Sequence, residues 1–274
     1  MGDKSLPEFQ DLPRSPHCQC EKGCQLTPLQ GKPWCKKHGP KKTRRTRSLR
    51  SCKMSPMTGK EPIRNLEAWN KNSPLKESHN CFSYAMNAID KKLMKDCAST
   101  DNCNVGFHQP GYASGYGHFT DNHGKGCSEM VSRLWGDNPD VIATSFNKKC
   151  PNSTSKIALI VDPKRDYHFL RQDSDGYWSH KPGAMDVTTK DASGRPILRP
   201  DRALFIYKHR RDPLQYTKFC GYYCVPRGKA LYLMSDPRQE GGFKLPDDVS
   251  SYPVSTRYQM TRKKSRDVSL LSED

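Results

Sequence analysis

From Lys36 to Lys53, in the stretch KKHGPKKTRRTRSLRSCK, every charged residue is Lys or Arg. Such a run repels itself and has almost nothing apolar to bury, so it cannot fold on itself, and any core of the chain lies elsewhere. It suits an anionic partner, whether nucleic acid, an acidic protein surface or an anionic membrane, and charge alone does not choose among them. The rest of the chain leans the same way: 46 Lys and Arg against 29 Asp and Glu give a formal charge of +17 over 274 residues, and 34% of residues are hydrophobic. No window approaches the roughly 18 consecutive apolar residues of a membrane span. The N-terminal MGDKSLPEFQDLPRSP lacks the apolar centre of a signal peptide. A soluble protein made in the cytosol is therefore expected. With 21 Pro and 19 Gly in the chain, polar arms take a share of the length, leaving a single core of about 150–160 residues.

The polar, proline-dotted segment 1–17 reads as an extended arm, 18–39 as a cysteine-rich segment and 40–77 as a basic linker in which only Ile63, Leu66 and Trp69 look like docking anchors. Organised structure is expected over 78–234. Phe82, Ala85, Met86, Ile89 and Leu93 recur at helical spacing, with Ser78 or Asn80 able to cap the first turn, and a shorter helix over 126–134 carries Met130, Val131 and Leu134 on one side. The period then changes. KIALIVD, from Lys156 to Asp162, is a short continuous apolar run of the kind that forms a strand buried on both faces, and YHFLRQD alternates as a second strand. Asp173 to Gly176 predicts a hairpin turn returning through YWSH, and further strands are expected over 203–207, 220–225 and 230–234. Helices first and antiparallel strands afterwards predict an α+β fold with segregated elements. From Ser235 the composition turns to Pro, Ser, Arg and Lys, an extended C-terminal tail over 235–274.

Twelve cysteines in a chain expected to stay in the cytosol read better as metal ligands, reactive thiols or reduced core residues than as a disulfide framework. Cys18, Cys20, Cys24, Cys35 and His38 offer five soft ligands from two short turns, and zinc takes four such groups tetrahedrally without needing a hydrophobic core. A structural Zn2+ in a knuckle is expected there, with Cys20, Cys24, Cys35 and His38 the preferred set, presenting the neighbouring basic stretch to a partner. Cys220 and Cys224, three residues apart, read as a metal pair or a cross-strand pair, and the aromatic neighbours Tyr222 and Tyr223 favour packing. His108, His118 and His123 lack paired ligand spacing, and the glycine-rich run 106–117 reads as a shaped loop that either lines a cleft or covers the core, with cover the favoured reading.

Cys81, in HNCFSYA, falls at the first turn of the best helix, where unpaired N–H groups stabilise a thiolate. A nucleophile there needs a base within hydrogen-bond reach, and His168, alternating onto the face of Leu170, is the natural one. The returning strand offers Ser179 or His180 to orient the imidazole, depending on a register the sequence does not show. The plain alternative is a buried thiol and a hydrogen-bonded core histidine.

With a cysteine helix preceding a histidine strand, NCFSYA and DYHFLRQDSDGYWSHKPG resemble papain-like amidases and peptidases, including bacterial cell-wall endopeptidases, over roughly 78–234. That resemblance implies a papain-like core with Cys81 as nucleophile, His168 as base and His180 as orienting group. Over a longer span, the cysteine knuckle, HNCFSYAMN, GFHQPGYASGY, KIALIVDPKRDYHFLRQDSDGYWSHKPGAMDVT and FCGYYCVPR together resemble a protein of large nucleocytoplasmic DNA viruses of algae and amoebae. This implies a structural virion protein, a minor capsid component made in the host cytoplasm, whose basic arms meet major and other minor capsid proteins or packaged DNA through Lys36–Lys53. The alternative is a cysteine hydrolase cleaving amide or isopeptide bonds.

Overall fold

The structure is a computed structural model and describes residues 10–11, 54–100, 103, 105–117, 119, 125–207, 213–235 and 268–270. The knuckle residues Cys18, Cys20, Cys24, Cys35 and His38, the basic stretch to Lys53 and most of the C-terminal tail lie outside the described residues.

Helix α1 (Leu66–Lys71) and helix α2 (Ser73–Ser78) precede the central helix α3 (Cys81–Met86), all of whose residues are buried. Asn80 opens α3 by accepting from the N–H groups of Phe82 and Ser83, satisfying two of the donors that a helix start leaves over. Asn87, in the left-handed region at φ 54°, closes it. The continuous helix expected from Ser78 through Leu93 is therefore broken. The chain instead makes strand β2 (Ala88–Asp90) and helix α4 (Lys91–Ala98) before helix α5 (Cys127–Asp137). The periodic residues Ile89 and Leu93 were shared between elements, because a left-handed Asn ends a helix without disturbing its apolar spacing.

The main sheet has six strands, all antiparallel. Its centre is β4 (Thr154–Asp162), flanked by β5 (Asp166–Gln172) and β9 (Lys218–Pro226). Strand β6 (Trp178–His180) continues beyond β5, while β3 (Ile142–Thr144) and β1 (Gln10–Asp11) pair with β9. A separate hairpin joins β7 (Ile206–Tyr207) to β8 (Leu214–Gln215), and β10 (Val268–Leu270) pairs with β2. Every residue of β4 is buried, as expected of KIALIVD. Ile157, Leu159 and Val161 join Tyr167 and Phe169 under α3 and α5, whereas Ala158 and Ile160 join Leu170, Trp178, Ile197 and Phe205 on the opposite face. The fold is thus α+β with an antiparallel sheet. The hairpin turn at 173–176 is present, with Gly176 at φ +82°. Residues 230–234 form no strand, and the strand expected over 203–207 shortens to Ile206–Tyr207.

Two expectations are corrected. Residues 54–77 are not linker: Trp69 is fully buried with Leu75, Tyr84 and Val187, although Ile63 (59% exposed) and Leu66 (43%) are not anchors. Six cysteines are neither reduced nor ligands but form bridges Cys97–Cys103, Cys127–Cys220 and Cys150–Cys224. Two of these span 93 and 74 residues of sequence and join the start of α5 and the loop between β3 and β4 to β9.

Buried cations hold α3 in place. Arg171 donates to the Tyr84 carbonyl and to Asn87 Oδ1, while Arg227 donates to the carbonyls of Ala85 and Met86 and to Ser155 Oγ. Arg227→Met leaves two buried helix carbonyls without donors, so unfolding in urea is expected to show a loss of about 3 kcal/mol. Lys71→Met, which removes only the exposed pair with Glu67, is expected to leave the midpoint where it is.

Candidate active site

The site is built where β6 stops. Strand β6 pairs with β5 only from Leu170 to Gln172, so the edge of β5 over 166–169 lies past its end. Cys81, which packs with Tyr167 and Phe169 on the helix face of the sheet, reaches this open edge, where the backbone N–H groups of Phe169 and Phe82 favour its thiolate. His168 alternates to the opposite face, as expected from Leu170. The two nonetheless line one cavity of about 430 Å³, because an edge is accessible from both faces. Asn80, Gln109, Lys125 and Asp166 supply its other polar groups, and Phe107, Tyr112, Phe119, Tyr167, Tyr207 and Tyr216 much of its wall.

The register unreadable from sequence places His180 opposite Leu170, on the same face as His168, and the two rings meet with Nε2 of His168 2.7 Å from Nδ1 of His180. Ser179 points the other way and bonds Tyr84 Oη at 2.7 Å. The proton arrangement follows from the partners. His180 Nε2 lies 3.0 Å from the Lys190 carbonyl, which can only accept, so Nε2 carries the hydrogen. Burial holds the His180 pKa down to about 4, so the ring is neutral and its Nδ1 accepts. His168 must then donate through Nε2.

Electrostatics at the sulfur oppose ionisation. Burial, followed by the charge of Asp166, pushes the Cys81 thiol up to about 12, against the N–H groups and the ammonium of Lys181. Cys81 is 5% exposed and is the one unpaired cysteine among the described residues. At rest it is a thiol, and any attack requires a base to remove its proton. Asp166 is itself held by Tyr216 Oη at 2.6 Å and by the Tyr167 N–H, and burial raises its pKa.

Several residues that sequence reasoning missed shape this site. Gln109 accepts from Tyr167 Oη on the cavity wall. The glycine-rich loop does more than cover the core: Phe107, Gln109 and Tyr112 form part of the cavity. The buried carboxylate of Asp137 fixes that loop by accepting from the N–H groups of Gly111 and Ser114. His108 sits between Ser83 Oγ (3.1 Å) and Asp90 Oδ2 (3.2 Å), a Ser-His-Asp contact that is sealed in the core and lines no part of the cavity. Among the described residues one group has metal-ligand geometry, Glu77 with Cys97 and Cys103, whose ligand atoms lie within 4.8 Å of one another, and both its cysteines are bridged together.

His79 is the second buried neutral imidazole. Its Nε2 accepts from the Asp90 N–H, and burial holds its pKa down to about 3. Both histidines have folded pKa values below the unfolded value, so their contribution is complete above about pH 6.5 and is lost as pH falls toward 4 for His180 and 3 for His79. Urea unfolding at successive pH values is expected to lose up to about 1.4 kcal/mol per pH unit for each histidine over this window. Stability that stays level from pH 6.5 to 4 would mean that these rings are charged in the fold.

No protein-family model matches the chain, and no solved structure matches it. The chain is similar to insoluble matrix shell protein 1 of Ruditapes philippinarum, with 34% identity over 164 residues that span 60% of this chain and 90% of that protein. At that identity and coverage, the chain belongs to the family of insoluble matrix shell protein 1.

Proposed function

We propose that the described body is a papain-like cysteine hydrolase acting on amide or isopeptide bonds, with Cys81 as nucleophile, His168 as base and His180 as orienting group. The observation that carries this reading is the 2.7 Å contact from His168 to His180 on the wall of the cavity that also holds the unpaired Cys81. In the reaction, the Cys81 sulfur bonds to the carbonyl carbon while its proton passes to the His168 imidazole. The imidazolium then protonates the leaving amine as the C–N bond breaks, giving a thioester. Water, deprotonated by the same ring, attacks the thioester, and the proton returns to the departing thiol. The neutral His180 holds the His168 ring in one tautomer and accepts from it while it is charged. Gln109 offers its amide group to the developing oxyanion from the cavity wall.

A second reading rests on the relative's name. It makes the chain a structural component of an insoluble shell, in the setting the viral resemblance implies a minor capsid component. Its arms would meet major and other minor capsid proteins or DNA through Lys36–Lys53, and a structural Zn2+ would sit on Cys18, Cys20, Cys24, Cys35 and His38. Three bridges suit an oxidising setting, such as a released virion or an extracellular matrix, better than a reducing cytosol. The two readings are compatible in one molecule.

Each has its own test. Alkylation with iodoacetamide, followed by peptide mass analysis, is expected to label Cys81 with a pH-dependent rate that drops about 100-fold in His168→Ala. A thiol equally slow in both proteins removes the hydrolase reading. For the shell reading, the full chain is expected to co-purify with assembled particles or matrix at fixed stoichiometry. Any DNA binding through the basic stretch should weaken steeply with salt and show no sequence preference. A chain that washes fully into the soluble fraction would overturn it.

A further inference from the structure

Lys181 is an unusual residue to find where it is. Its side chain is fully buried and it follows His180 directly in the chain. Its Nζ donates to three backbone carbonyls, those of Lys76 at the end of α2, His79 just ahead of α3, and Gly183 in the loop after β6. All three ammonium hydrogens are thereby used, with no carboxylate among the acceptors. Gly183 and its neighbour Pro182 line the cavity, and His79 stands two residues before Cys81. One nitrogen thus joins the segment that delivers the sulfur, the helix before it, and the cavity rim that continues from the His180 strand.

We propose that Lys181 is a positioning residue for Cys81, fixing the sulfur against the His168–His180 pair and supplying the local positive charge that its ionised form requires. The inference deepens the hydrolase reading and rests on it. The charged and titratable groups around the sulfur come from several elements: Asp166, Tyr167 and His168 on β5, Tyr216 after β8, and Lys181 after β6. Asp166 disfavours a thiolate and Lys181 favours it, while Lys125, on the same cavity wall, acts on the Asp166 carboxylate. Lys181 in turn faces Lys76 and Asp186 as well as His79. Burial and the neighbouring Lys76 depress its own pKa to about 7, while a negative sulfur and Asp186 raise it, so its charge accompanies a thiolate formed near neutral pH by proton transfer to His168 and not one formed in alkali. A neutral donor could satisfy some of these carbonyls without bringing a charge, whereas the ammonium donates to all three and carries one.

The test is the pH profile of Cys81 alkylation by iodoacetamide in the full chain with its disulfides intact, for wild type, Lys181→Met, Lys181→Arg and His168→Ala. Lys181→Met is expected to raise the labelling midpoint by about one pH unit and to cut the neutral-pH rate about tenfold. Lys181→Arg keeps the charge and should hold the midpoint near the wild-type value even where thermal unfolding shows reduced stability. A folded Lys181→Met with an unchanged profile overturns the proposal. If that variant does not fold, a midpoint in Lys181→Arg raised by as much as a full unit overturns it instead, since the charge is still present. The two readings fail separately. Labelling that depends on His168 but ignores Lys181 sinks only the role of Lys181, whereas labelling insensitive to His168→Ala but shifted by Lys181→Met sinks the hydrolase and leaves Lys181 as the charge beside the sulfur.

Discussion

The bond on which this structure depends is the one from a buried cation to a main-chain carbonyl. A six-residue helix does not hold itself together in water, and α3 is six residues long with both ends inside the protein. Arg171 and Arg227 take the carbonyls at its C-terminal end, where the helix dipole also favours positive charge, and Lys181 takes the carbonyl just ahead of its start. The same device recurs at β4, where Lys156 Nζ donates to the carbonyls of Phe146 and Lys148 and to Ser55 Oγ, drawing the segment after the basic stretch onto the sheet. Part of the chain's excess of positive charge is therefore internal. The buried Lys156, Arg171 and Lys181 serve the fold and are not offered to a partner.

Much of the body could be read from sequence because it follows period and turn chemistry. The doubly buried strand at KIALIVD, the hairpin at Asp173–Gly176 and the helix from Cys127 all appear near their expected places. What escaped was long-range. Nothing local marks Cys127 as the partner of Cys220, because the bridge is made by the packing of α5 against β9, 93 residues on. Trp69 was the visible exception in a polar segment, and its burial is what folds 66–78 onto the core. Asn87 was the concealed one: its left-handed conformation splits a stretch whose apolar spacing remains helical throughout.

The candidate site was legible in its residues but not in its geometry. Cys81, His168 and His180 were all picked by residue type and position, yet strand alternation puts Cys81 and His168 on opposite faces of the sheet. They share a cavity only because β6 ends at His180 and leaves the next residues of β5 uncovered. A longer β6 would close that edge and separate them. The choice between Ser179 and His180 likewise turned on one residue of register, and a slip of one would have turned Ser179 toward the His168 imidazole and His180 toward Tyr84.

The proposed shell and hydrolase readings place different demands on the same fold, and Cys81 is where they can be told apart. A scaffold needs the buried cations, the sheet and the bridges, all of which would stand with alanine or serine at position 81. Six of the seven described cysteines are paired, so a setting that oxidises thiols would be expected to recruit or exclude the seventh. Cys81 is instead unpaired and lines a cavity whose wall also carries His168, an imidazole held by His180, which is in turn held by the Lys190 carbonyl. Packing alone asks for none of those three arrangements. Under the proposed hydrolase reading, their coincidence at one uncovered strand edge separates the sulfur from a cysteine that merely fills the core.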